Sequence, residues 1–117
     1  MKKVIIAALL LASSTVSMAQ GIKMPAPSPT QIIKQDFALS SIEVAYSRPA
    51  MKGRVIFGDL VPFGKVWRTG ANSATKVTFG EDVTIGGVAV KAGSYALYSI
   101  PDKNEWEIIL NKGTQNW

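Results

Sequence analysis

Apolar and polar residues alternate through much of the chain after residue 35, and this period of two restricts the fold more than any other feature. The run IEVAY at residues 42–46 puts its large apolar side chains on one side of an extended segment. Gly86-Gly87 separates the runs VTI and VAV, and such a two-residue turn favours a tight β-hairpin. Half-buried strands need this alternation, whereas helices need a spacing of three to four. The sequence therefore predicts an all-β, antiparallel, β-sandwich-like domain.

The same pattern sets the predicted domain limits. Further strands are expected at residues 76–79, 94–100 and 106–110, and the middle one of these is expected to be central in its sheet. Residues 20–34 contain Pro25, Pro27 and Pro29, and alternating prolines favour an extended linker. The folded domain is therefore expected at residues 35–117. The one helical turn expected outside the N-terminus lies near residues 29–34.

Residues 1–19 have the three-part order of a secretory signal peptide. Two lysines precede an apolar run at residues 4–11, which is too short to span a bilayer. Ser17 and Ala19 are small residues at the positions that a signal peptidase reads, so cleavage is expected before Gln20. The sequence thus predicts an exported protein, periplasmic or extracellular, that has no membrane association after cleavage.

The composition excludes several kinds of chemistry. The chain has no Cys and no His, so disulfides, thiolate nucleophiles, Ser-His-Asp triads and ordinary zinc sites are excluded. No run of acidic residues has the spacing of a calcium loop, and we expect neither a metal nor a cofactor. The net charge of +5 includes Lys2 and Lys3, and cleavage would leave +3. This mild charge on an exported protein disfavours a nucleic-acid partner.

Residues 48–75 depart from the alternation and carry most of the positive charge. This segment contains five cations and a single acid, Asp59, for a net charge of +4. Arg offers a planar fork of donors that suits carboxylate, phosphate or sulfate, and Trp offers a flat face for a sugar ring. The segment predicts a cleft for an acidic glycan or another small anion. The predicted ligand-binding residues are Arg48, Lys52, Arg54 and Arg68 for charge, Trp67 for stacking and Asn72 for orientation.

Two other interpretations fit the same residues. In the first, the segment belongs to a structural or interaction domain without a small ligand: Trp67 is a core anchor, and the arginines bond to loop carbonyls or pair with Asp59. In the second, the protein is a carboxylate-based hydrolase, which needs two carboxyl groups at one site. Asp59 is alone among cations and suits an ion pair better than a general acid. No catalytic residue is assigned, and binding is favoured over catalysis.

The basic segment also carries a family resemblance. The run GKVWRTGAN at residues 64–72 is its most specific part, and SRP at residues 47–49, KGR at 52–54 and AGSY at 92–95 add to it. On these motifs the chain resembles domain-of-unknown-function family 2911, exported proteins found mostly in Bacteroidetes. The resemblance covers residues 35–117 and implies a β-sandwich-like domain in a periplasmic or extracellular setting, with no assigned function. It also implies that this chain is C-terminally short, since members continue with more strands.

Overall fold

The structure is a computed structural model that describes residues 21–113, in which the chain forms seven strands and no helix. The signal peptide predicted at residues 1–19 lies outside the described residues. None of the described residues belongs to a helix with the length and hydropathy needed to cross a membrane. The strands are β1 (Thr30–Phe37), β2 (Ser40–Ser47), β3 (Thr75–Phe79), β4 (Val83–Ile85), β5 (Val88–Val90), β6 (Gly93–Ile100) and β7 (Glu107–Asn111).

Five of these strands form one antiparallel sheet in the order β1-β2-β3-β6-β7, and β4 and β5 form a separate two-stranded sheet. The all-β, antiparallel, sandwich-like fold predicted from the alternation is confirmed. The predicted hairpin turn is present at Gly86-Gly87, where φ is 54° and 81°, a left-handed conformation that glycine adopts at little cost. The strand predicted to be central, β6, is internal to the five-stranded sheet, but the central position belongs to β3.

The core lies on the sheet face that the β4–β5 hairpin covers. The register places Val77 of β3 between Val44 of β2 and Tyr95 of β6, so these side chains share one face. Phe79 is 6% exposed, and its ring lies 6.0 Å from that of Tyr95. The partly buried residues that pack around Val77, Phe79 and Tyr95 come from β2, the hairpin, β6 and β7: Ile42, Val44, Val83, Val90, Leu97 and Leu110.

The first strand corrects the predicted linker and the predicted helical turn. Residues 30–34 lie in β1, which pairs with β2 along its whole length, from Thr30 opposite Ser47 to Phe37 opposite Ser40. The pattern conceals this strand because its apolar residues, Ile32 and Ile33, are adjacent and are 63% and 44% exposed. Backbone pairing with β2, rather than burial, holds this edge strand in place.

The turn between β1 and β2 also lacks a sequence signal. Phe37 pairs with Ser40 across Ala38-Leu39, and Ala38 has a φ of 53°. Glycine or asparagine usually occupies such a position, because a Cβ disfavours positive φ. Leu39 at the tip is 98% exposed. No residue of this turn therefore marks it in the sequence.

Asp82 ties the β4–β5 hairpin to the start of β6. The Ala92 N–H donates to Asp82 Oδ1 at 2.8 Å, and Lys91 Nζ donates to Oδ2 at 3.1 Å. Both bonds stabilise the ionised carboxylate and so lower the pKa of Asp82 below its ordinary value. The bond from the Ala92 N–H has the larger effect, and the bond from Lys91 has the smaller one. The side chains are exposed, which makes this a solvated clasp.

The buried aromatic ring of β3 is expected to dominate the stability of the sheet. Phe79→Ala should lower the free energy of unfolding by about 3–5 kcal/mol, because it removes a buried ring and leaves a cavity. Phe37→Ala, at a site that is 53% exposed on the edge strand, is the matched control and should cost about 0.5 kcal/mol or less. Urea unfolding of both variants measures the difference, and equal losses would contradict this core.

The clasp at Asp82 should make part of the stability depend on pH. A carboxyl whose pKa is lowered by folding stabilises the fold above its unfolded pKa, and this contribution disappears as the pH falls through the folded pKa. Asp82→Asn should therefore lower the melting temperature slightly at pH 7 and not at strongly acidic pH. Thermal melts from pH 7 to pH 2 test this, and a constant difference between the variant and the parent would contradict it.

Candidate functional site

Two backbone hydrogen bonds attach the basic segment to the sheet. The Trp67 N–H donates to the Ser99 carbonyl at 2.7 Å, and the Ser99 N–H donates to the Trp67 carbonyl at 2.9 Å. On the same side of β6, Leu97 pairs with Thr75 at the start of β3. Residues 68–74 therefore leave and rejoin the edge of β6 as a loop, which the Thr75 N–H closes by donating to the Arg68 carbonyl at 3.2 Å. The basic segment is thus fixed to the sheet at both ends of this loop.

Thr69 in this loop has a strained backbone conformation, which contacts with the hydroxyl groups of the buried residues Ser99 and Thr75 stabilise. Thr69 has a φ of 57°, which is rare for a β-branched residue. Its Oγ1 lies 2.8 Å from Ser99 Oγ, and Thr75 Oγ1 donates to the Thr69 carbonyl at 2.6 Å. Ser99 is fully buried, at 0% exposure. These contacts hold Thr69 in its conformation and so fix the direction in which the loop leaves the sheet.

The basic segment forms most of a cleft of about 630 Å³, a volume typical of small-molecule sites. One part of its wall comes from Pro27 and Ser28, which the sequence pattern assigns to the linker. The Arg48 N–H donates to the Pro29 carbonyl at 2.9 Å, and Asn72 Nδ2 donates to the Ser28 carbonyl at 3.4 Å. The end of the proline-rich stretch is therefore attached to the basic segment.

Four of the six predicted ligand-binding residues line this cleft, namely Lys52, Arg54, Trp67 and Arg68. The other two do not. Arg48 Nη1 donates to Gln31 Oε1 of β1 at 2.7 Å, and Asn72 bonds to the wall as described above. These two side chains instead connect the basic segment to β1 and to the proline-rich stretch.

Arg54 is held in position by its own loop. Its Nε donates to the Met51 carbonyl at 3.0 Å and its Nη2 to the Ala50 carbonyl at 2.8 Å. The turn between them has a φ of 51° at Lys52 and 70° at Gly53. A guanidinium has five N–H groups, so these two bonds leave three for a ligand. The loop therefore orients the guanidinium without using all of its donors.

Trp67 lies in a cluster of three aromatic rings. Its centroid is 5.9 Å from that of Phe57 and 6.3 Å from that of Trp106, and Phe57 and Trp106 are 5.1 Å apart. All three contacts are edge-to-face, an arrangement that aromatic quadrupoles favour. Trp67 is half-buried, while Phe57 and Trp106 are 47% and 42% exposed. The indole of Trp67 is thus neither sealed in the core nor free in solvent.

The sequence interpretation missed several lining residues. Lys65 is a fourth cation of the cleft beside Lys52, Arg54 and Arg68, and its place in the basic segment was the available signal. No pattern in the sequence marks the apolar side chains as lining. They include Met51, Ile56, Leu60, Val61 and Val66.

The charged residues of the described cleft wall are all lysines and arginines. No Asp or Glu is among the described residues that line it. Within residues 21–113, one ion pair has its charged atoms within 4.0 Å, and it joins Lys91 to Asp82. Asp59 therefore forms no ion pair with a cation of the basic segment in this part of the chain. That range also holds no group of three or more acidic side chains able to bind a metal ion. The arrangement favours an anion as occupant.

The Thr69–Ser99 contact yields a test of how the loop is held. Thr69→Ala should cost about 1–3 kcal/mol, because it leaves a buried hydroxyl without its partner, whereas Thr69→Ser should restore much of the loss. Thr78→Ala is the matched control, since Thr78 Oγ1 lies 2.8 Å from Ser94 Oγ at an exposed site, and should cost about 0.5 kcal/mol or less. Chemical unfolding gives these values, and equal costs for the two alanine variants would contradict the assignment.

Comparison with known proteins places this architecture in a family. No curated protein and no solved structure matches the chain. The family model described as a protein of unknown function, DUF2911, matches residues 28–117. The match begins at Ser28, the residue whose carbonyl accepts the bond from Asn72, and includes all seven described strands and the whole basic segment. The chain therefore belongs to the DUF2911 family.

Proposed function

We propose that this protein is an exported, non-catalytic domain that binds an organic anion in the cleft formed mainly by residues 48–75. The observation that carries the proposal is the composition of the cleft wall, which includes Lys52, Arg54 and Lys65 while no Asp or Glu is among the described lining residues. Positive charges gathered around a concave site raise the local concentration of anions and favour anions as ligands. The acidic glycan expected from the sequence is one ligand of this class.

The geometry of Arg54 supports recognition of a specific group as well as general attraction. Its guanidinium is already oriented by the carbonyls of Ala50 and Met51, so little side-chain freedom is lost on binding. The remaining N–H groups can bind the oxygens of a carboxylate or sulfate. Lys52 and Lys65 have exposed, flexible side chains that can follow the charge of the ligand. An oriented guanidinium beside two flexible lysines suits a ligand with an acidic group at a defined place.

Export is the second part of the proposal, and it depends on the N-terminal sequence. The order of two lysines, an apolar run and small residues before Gln20 supports secretion. A chain without cysteine has no need of an oxidising compartment, yet it also loses nothing there. The protein would therefore act in the periplasm or outside the cell.

A structural or interaction domain without a small ligand is the second candidate. It is favoured by Arg54, whose guanidinium bonds to two loop carbonyls, and by Arg48, which bonds to Gln31. In that function these arginines only secure the loop, and the cleft has no occupant. The two candidates differ in what the lysines do, because neither Lys52 nor Lys65 forms an ion pair within residues 21–113.

The hydrolase alternative receives less support. A glycosidase needs two carboxyl groups that flank the scissile bond. Asp59 is exposed and does not line the cleft, and no other carboxylate of the described residues lines it. The described wall therefore offers no pair of carboxyl groups for a glycosidase mechanism, which supports binding as the role of the cleft.

The lysines provide the test of anion binding. The Lys52→Gln/Lys65→Gln double variant should bind trigalacturonate or decanoate roughly tenfold more weakly than the parent, through the loss of two partly screened charge contacts. A double variant at exposed lysines outside the cleft, Lys34→Gln/Lys103→Gln, carries the same change of net charge and should bind like the parent. Isothermal titration at 20 and 200 mM salt measures both, and added salt should weaken binding by the parent.

These titrations distinguish an anion-binding domain from a structural domain without a ligand. Equal weakening in both double variants would show attraction by net charge alone and contradict a site in the cleft. An absence of saturable binding by the parent to either anion would favour the structural domain.

A further inference from the structure

We infer that the anion bound in this cleft carries an apolar chain, so that the ligand is a single-chain amphiphile such as an acyl carboxylate rather than a glycan. This inference rests on the proposed function and specifies its ligand. It follows from the part of the cleft wall that is not charged.

The uncharged wall is poor in groups that could bind sugar hydroxyls. Apart from the indole N–H of Trp67, the neutral polar side chain among the described lining residues is that of Ser28, and the Ser28 carbonyl already accepts from Asn72. The carbonyls of Ala50 and Met51 accept from Arg54. A glycan in this cleft would lose water from many hydroxyl groups and regain few hydrogen bonds, which costs free energy for each unpaired group.

Apolar side chains of the wall are instead left in contact with solvent. Met51 is 61% exposed, Leu60 is 51% exposed and Val66 is 52% exposed, although all three line a concave site. Burying such surface against a hydrocarbon chain is favourable. A chain lying along these residues would cover apolar area that the fold itself does not cover.

The charged and apolar parts of the wall belong to the same short segment. Arg54 Nε donates to the Met51 carbonyl at 3.0 Å, so the fixed guanidinium lies against the backbone of a residue whose apolar side chain is exposed, and both residues line the cleft. Lys52 is in the turn between them. This juxtaposition fits a molecule whose acidic head is joined directly to a hydrocarbon tail. The volume of about 630 Å³ leaves room for a chain of medium length.

Titration of the mature protein with a series of carboxylates tests the inference. Hexanoate, octanoate and decanoate, each below its micelle concentration, should bind progressively tighter by about two- to fourfold for each added methylene. Acetate presents the same head without the tail, and decyltrimethylammonium presents the tail with the opposite charge. Both should bind at least tenfold more weakly than decanoate, as should trigalacturonate.

A pair of leucine variants locates the tail. Leu60→Ala should weaken decanoate binding about three- to tenfold and leave acetate and trigalacturonate unchanged. Leu39→Ala is the control, because Leu39 is 98% exposed in the β1–β2 turn, away from the cleft, and should leave every titration unchanged.

The outcomes distinguish this inference from the proposed function. If trigalacturonate binds and decanoate binds no tighter than acetate, the cleft binds anions but the apolar chain is wrong. If decyltrimethylammonium binds as tightly as decanoate, the tail adheres without recognition of charge, and the inference is also overturned. If no anion binds, the proposed function fails together with it.

Discussion

The pair of backbone hydrogen bonds between Trp67 and Ser99 is the constraint on which the site depends. Because Ser99 lies in an internal strand, these bonds connect a glycine-rich segment without regular structure to the most protected part of the sheet. The Thr69 and Ser99 hydroxyl groups then fix how the loop after Trp67 departs. A cleft built from loops is ordinarily mobile. Here the sheet fixes Trp67 of the wall, and β1 holds the start of the basic segment through the bond from Arg48 to Gln31.

Much of the fold could be predicted because its signals are local. Gly86-Gly87 specifies a hairpin by its backbone conformation, and the alternation in β2, β3 and β6 specifies which side chains share a face. β1 could not be predicted, because adjacent Ile32 and Ile33 break the alternation and Ala38 occupies a turn position that usually holds glycine. An edge strand such as β1 forms because it pairs with its neighbour, and the sequence of a strand does not identify the strand with which it pairs.

The candidate site shows the same division between local and tertiary information. The concentration of cations in residues 48–75 is visible in the sequence, and four of the six predicted residues line one cleft. Whether an arginine points into that cleft depends on distant partners. Arg48 turns to Gln31 in a strand that the pattern does not reveal, while Arg54 bonds within its own turn and keeps donors free. The apolar residues of the cleft wall could not be predicted for a related reason. They come together only when the loop folds, and no periodicity in the sequence marks them.

Anion binding in the cleft is tested most directly by NMR, following the backbone amides, the Arg54 Nε–H and the Trp67 indole during titration with decanoate. A ligand site in this cleft predicts saturable shifts confined to Ser28, to residues 50–71 and to those two side-chain groups, with the core amides of β3 unchanged. Shifts spread evenly over exposed lysines such as Lys34 and Lys103, or no saturable shift at all, would contradict a site in this cleft.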